Sequence, residues 1–168
     1  MALTGTVERA VAVLGRAAAW LTLAMVVVTF GIVVLRYGLD RGWIWLQESV
    51  TWMHATVFMV AAAWTLQDDG HVRVDIFYRQ ASPRRQAWVD LLGTLILLAP
   101  FCIFVLLVGW DYVAASWRMR EASGEAGGLA AVYLLKTLVL VMPLLLLAQA
   151  LAALPRQLAH IRGTQAAA

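Results

Sequence analysis

The chain has 168 residues, a net charge of +3, 14% charged side chains and 62% hydrophobic ones, with a mean hydropathy of +0.78. Soluble domains carry about 25% charged residues, and a water-exposed fold of this length buries only about 70% of the surface its unfolded chain exposes. The composition therefore excludes an ordinary soluble domain and points to lipid as the solvent, while basic residues scattered as short flanks, with Lys136 the only Lys, exclude a nucleic-acid surface.

Four charge-free stretches follow in order, at residues 17–35, 49–67, 91–110 and 137–155. Each is close to the roughly 20 residues a helix needs to cross a hydrocarbon core about 30 Å thick. The sequence thus predicts one all-α integral membrane domain with four transmembrane helices, near residues 15–36, 44–67, 88–110 and 131–155. The first stretch has the basic flank of a signal peptide, at Arg16. Its apolar part is longer than a signal centre and ends at Arg36 with no small-x-small cleavage site, so it is read as a retained span. Trp43, Trp45, Trp64, Trp88, Trp110 and Trp117 fall near span ends, where an amphipathic ring sits well among headgroups.

The second span opens on "WLQESVTWMHA", residues 45–55. Glu48 stands one position before an uninterrupted apolar window, where a charge is costly unless partnered. Two readings stay open for it. It pairs with Lys136, which starts the fourth span, or with Arg36, which ends the first; or it faces headgroups and water. Gln47, Thr51 and His54 form a narrow polar stripe on the same helix, of the kind that hydrogen-bonds between helices. A haem ligand is the sharper reading of His54, but His71 and His160 lie outside the spans and leave no second axial ligand inside the bundle.

After the second span comes "LQDDGHVRVDIFYR", residues 66–79. Asp68, Asp69, His71 and Asp75 form a potential cluster for a divalent ion; the bounding Arg73 and Arg79 favour a solvated loop instead. "ASPRR" follows as a helix start, with Ser82 as N-cap and Pro83 in the first helical position. The third helix therefore begins on the membrane rim before entering lipid. Cys102 reads as a small buried hydrophobe, and Pro100 and Pro143 are expected to bend the third and fourth helices. A Gly-rich segment, "REASGEAGGLAA", separates those two helices.

Orientation follows from the basic residues. Arg9, Arg16, Arg73, Arg79, Arg84, Arg85, Arg156 and Arg162 lie on one side, against Arg36, Arg41, Arg118, Arg120 and Lys136 on the other. The positive-inside rule then predicts cytoplasmic N- and C-termini. There is no Gly-rich phosphate loop, no Cys or His spacing suited to zinc and no nucleophile elbow, so neither an enzyme nor a cofactor is expected.

The ordered set "WLQESVTWMHA", "AAAWTLQDDGHVRVDIFY" (residues 61–78) and "SPRRQAWVDLL" (residues 82–92) resembles the small, DctQ-type membrane subunit of TRAP transporters. That family opens its second span with Trp and Glu and follows it with a Gly-His-x-x-Val-Asp-like signature. Here Trp45, Glu48, Gly70, His71, Val74 and Asp75 match, with Arg73 at one of the variable positions.

The resemblance implies a scaffold subunit of the bacterial inner membrane. It would sit beside a large membrane subunit that carries substrate and sodium sites, served by a periplasmic binding protein that captures an organic acid. It further implies that Glu48, His71, Arg73 and Asp75 matter for structure or subunit contact, with Lys136 and Arg36 as partners of Glu48. The "DGHVRVD" segment would then be a cytoplasmic turn holding the second and third helices and a short interfacial helix in register. The competing classes are a self-sufficient four-helix exporter acting as a homodimer, with Glu48 in a central cavity, and a membrane redox subunit, which would show haem absorption on purification.

Overall fold

The computed structural model describes residues 2–71 and 78–162, with the side chains of residues 2 and 3 excepted. Those residues form four long helices: α1 (Ala2–Gly38), α2 (Ile44–Gln67), α3 (Pro83–Met119) and α4 (Val132–Arg162). No strand occurs among the described residues. All four are long and apolar enough to cross a membrane. Helices are the natural solution there, because hydrocarbon offers no partner to an unpaired N–H or C=O and a helix satisfies its own backbone.

The centre of the bundle is α4. It packs against α1, α2 and α3, whereas α3 makes its main helix contacts with α4 alone. A third of the most apolar window of α4 is buried, against 6% in each of the other helices. Leu140, Pro143, Leu146, Gln149, Ala150 and Ala152 form its inward face. Val11 of α1, Ala63 of α2, Cys102 of α3 and Leu146 of α4 meet in one buried cluster, four residues from the end of α2. Cys102 is fully buried there, as a small hydrophobe should be.

Close approach of α1 and α2 depends on a missing side chain. A Cβ built on Gly15 would lie 2.5 Å from the Cβ of Trp64, two atoms fixed by backbone with no rotamer to relieve them.

Pro83 does occupy the first turn of α3, with extended backbone at Ser82, but the Ser82 side chain makes no capping bond. Within α3 the ladder widens to a π turn over Thr94–Leu98, the N–H of Ala99 bonding the carbonyl of Thr94. Pro100 follows directly and has no N–H to offer, so the register change sits where the α ladder is already broken. In α4 the helix continues through both Pro143 and Pro155 to Arg162, beyond the expected end of the fourth span. Buried Pro143 has neighbours that hold the helix together around the lost bond.

Gly15→Ala should lower the stability of the purified chain in detergent by about 1–3 kcal/mol, the usual cost of overpacking a close contact. Gly31→Ala, with open space around it, should leave the thermal midpoint unchanged.

Candidate functional sites at the two ends of the bundle

At one end lie the segment joining α1 to α2, the segment joining α3 to α4, and Glu48 one turn into α2. The half-buried carboxylate of Glu48 accepts two hydrogen bonds from the α3–α4 segment. One comes from the Ser123 hydroxyl and the other from the backbone N–H of Leu129, at 2.6 Å. The segment also closes on itself, through Ser123 N–H to Leu129 carbonyl at 2.9 Å and Gly128 N–H to Glu125 carbonyl at 3.0 Å. Gly128 is a steric requirement of this knot, since a Cβ there would stand 2.8 Å from the Glu48 carboxylate and closer still to Ser123.

A second clamp lies beside it. α3 ends with Arg120 in the left-handed region, φ 49°, and the N–H of Glu121 returns to the Ser116 carbonyl at 3.1 Å. This six-to-one closure turns the chain sharply and brings Glu121 to Lys136, whose Nζ donates to both carboxylate oxygens at 2.8 and 2.6 Å. Lys136 also sits 4.2 Å from the centroid of the Tyr112 ring. Trp117 donates its indole N–H to the Thr137 hydroxyl at 2.9 Å and packs on Tyr133 with centroids 4.7 Å apart. The Glu121 carboxyl is held below its ordinary value, chiefly by the hydrogen bond from Lys136.

These contacts correct the expected pairing of Glu48. Neither Lys136 nor Arg36 is its partner: Lys136 is taken by Glu121, and Arg36 is exposed at the end of α1. Nor does Glu48 simply face water, because a backbone amide and a hydroxyl already occupy its oxygens. Glu121, Ser123 and Leu129 are the functional positions that sequence reading missed. An acidic residue beside the Gly-rich segment, followed by Lys136 at a helix start, was the available signal.

At the other end Tyr78 donates its hydroxyl to Asp90 at 2.8 Å, and Gln86 donates its amide N–H to the Tyr78 carbonyl at 2.9 Å. Arg156 of α4 meets Glu8 of α1 at 3.2 Å. Between α3, α4 and the ends of the α2–α3 segment lies a cavity of about 1020 Å³, lined among others by Gln67, Gln149 and Gln157. The side-chain oxygens of these three glutamines are buried and find no donor among the described residues.

His71 lies exposed at the rim of this cavity. Arg73 and Asp75 lie outside the described residues, as does the whole of residues 72–77 in the segment where the short interfacial helix is expected. Among the described residues no three His, Cys, Asp or Glu side chains come together to hold a metal ion.

Gln47, Thr51 and His54 share one face of α2, as their spacing predicts, and that face is exposed on the outside of the bundle, with His54 stacked on Phe58.

The two clamps share no residue but do share the α3–α4 segment, so Glu48→Ala and Lys136→Met should couple more weakly in thermal stability than Glu121→Gln and Lys136→Met, which remove the two ends of one ion pair. Glu48→Ala should speed hydrogen exchange of the Leu129 amide several-fold, and Lys136→Met should leave that amide protected. A carboxyl with a lowered folded-state value stabilises the fold fully above the ordinary carboxylate range and loses that effect as pH falls through its own value. Protease cleavage after Arg120 should accordingly rise in acid for the native chain, and Glu121→Gln should flatten this dependence.

The geometry is that of a membrane bundle whose ionisable groups near the helix ends tie segments together. A family model described as "Tripartite ATP-independent periplasmic transporters, DctQ component" matches residues 25–160. No curated protein and no solved structure matches the chain. The family match covers well over half of the sequence, and its components are parts of transporters and not enzymes: this multi-pass membrane chain belongs to the DctQ component family of tripartite ATP-independent periplasmic transporters.

Proposed function

We propose that the chain is the small scaffold subunit of a sodium-coupled importer of an organic acid in a bacterial inner membrane. It pairs with a large membrane subunit that carries the transport sites, and a periplasmic binding protein delivers the substrate. Family membership supports the general role. The observation that carries the scaffold reading is the fate of the ionisable groups at the Glu48 end. The carboxylates of Glu48 and Glu121 and the ammonium of Lys136 are spent on bonds within the chain, which suits holding a shape better than exchanging a carboxylate and a cation.

The excess of Arg on the Arg73 and Arg84 side supports cytoplasmic termini. In that orientation the Glu48 knot faces the periplasm, and the segment with His71, Arg73 and Asp75 faces the cytoplasm. On this reading His71, Arg73, Asp75 and Arg36 serve structure or contacts with the large subunit, and a short interfacial helix joins the second and third spans.

Affinity purification of the full chain from its native membrane should bring down a much larger hydrophobic chain. Liposomes holding the chain alone should show no solute flux under a sodium gradient. Flux from the chain alone would favour a self-sufficient exporter and overturn the proposal.

A further inference from the structure

The outer surfaces of the helices differ in kind. Between residues 91 and 110, α3 exposes apolar groups throughout, among them Leu95, Ile96, Leu97, Phe104 and Leu107. α1 is similar, exposing Leu23, Val26, Val27 and Phe30, with Thr22 and Thr29 its only exposed hydroxyls between residues 17 and 35. Thr22 returns its proton to the Ala19 carbonyl at 2.6 Å. Such faces are matched to lipid tails.

α2 is reversed. Beyond Trp45 its only exposed positions are Gln47, Thr51, His54 and Phe58, spaced four, three and four apart and so aligned on one face. Three of the four are polar. The depth is decisive, because His54 lies ten residues past Ile44, about 15 Å of helix rise and near the middle of a core about 30 Å thick. Hydrocarbon cannot satisfy these groups.

Nor does any described residue of the chain satisfy them. Thr56 and Thr65 of the same helix donate to the carbonyls of Trp52 and Ala61, at 2.8 and 3.0 Å. Among the described residues no bond of this kind engages Thr51, and His54 has only the stacked ring of Phe58, 6.5 Å away.

We propose that this stripe of α2 is the seam against a transmembrane helix of the large membrane subunit, one that presents hydrogen-bonding side chains near the bilayer midplane. The inference rests on the scaffold reading above and adds to it which face assembles. The occupant must bring donors and acceptors of its own, which lipid tails lack. A second copy could also pair hydroxyl with hydroxyl and imidazole with imidazole, since each both donates and accepts. The chain belongs to a component family of multi-part transporters, and that favours a helix of the large subunit, with interhelical hydrogen bonds and the Phe58 ring as an apolar neighbour. The apolar faces of α1 and α3 are left to lipid.

A photo-crosslinking side chain placed singly at positions 51, 54, 27 and 97 of the full chain, in native membranes with its transporter partners present, tests the assignment. Positions 51 and 54 should capture a chain much larger than 18.4 kDa, and positions 27 and 97 should capture no protein. Capture of the large chain from 27 or 97, alone or equally with 51 and 54, overturns the seam while leaving the scaffold role standing. A product of twice the chain's own mass from 51 and 54, or no protein product at any position, also overturns the seam; the scaffold reading falls as well only if no large chain copurifies from the same membranes. As a second readout, Thr51→Val with His54→Leu should leave the thermal midpoint of the isolated chain unchanged while cutting copurified large subunit several-fold. Loss of chain stability with full retention of the large subunit overturns the seam.

Discussion

The carboxylate of Glu48 is the tie on which the arrangement of the third helix depends. α3 packs mainly on α4, so without a further restraint it would be attached to the other helices along one seam only. Glu48 supplies that restraint by gripping Ser123 and the Leu129 amide from α2, which fixes the α3–α4 segment against the opposite side of the bundle. The cost of placing a carboxylate so near the hydrocarbon is offset by two hydrogen bonds to a charged acceptor, the stronger class of such bonds. Glu121 and Lys136 act beside it as a separate clamp within the α3–α4 hairpin.

From this constraint the functional logic follows. A transport site for an anion and a cation needs polar groups that can change partners, whereas Glu48, Glu121 and Lys136 are engaged by the chain itself. The chain instead offers outer surfaces of two kinds, greasy on α1 and α3 and polar at mid-membrane depth on α2. A subunit built to be held in place has need of both, one to meet lipid and one to meet protein.

Much of the architecture was legible because lipid imposes simple rules. Charge-free windows of about 20 residues gave the helices, Pro83 marked the start of α3, and the isolation of Cys102 in an apolar run matched its fully buried place in the core. The misses have physical causes. The partners of Glu48 are a backbone N–H and a hydroxyl some eighty residues away, and a backbone amide leaves no trace in residue type. Lys136 was expected to pair with Glu48 because the sharp turn at Arg120 that delivers Glu121 needs a left-handed residue, and Arg in place of Gly hides it. Periodicity placed Gln47, Thr51 and His54 on one face, but spacing cannot say whether a face points inward or outward.

The central claim is that the ionisable residues of this chain hold structure and do not handle substrate or ion. The most direct measurement is sodium-driven uptake by the complete reconstituted transporter carrying Glu48→Gln, normalised to assembled complex. The account predicts less assembled complex, with the dependence of uptake on substrate and on sodium unchanged per complex. A shifted substrate or sodium dependence, with assembly intact, would contradict it.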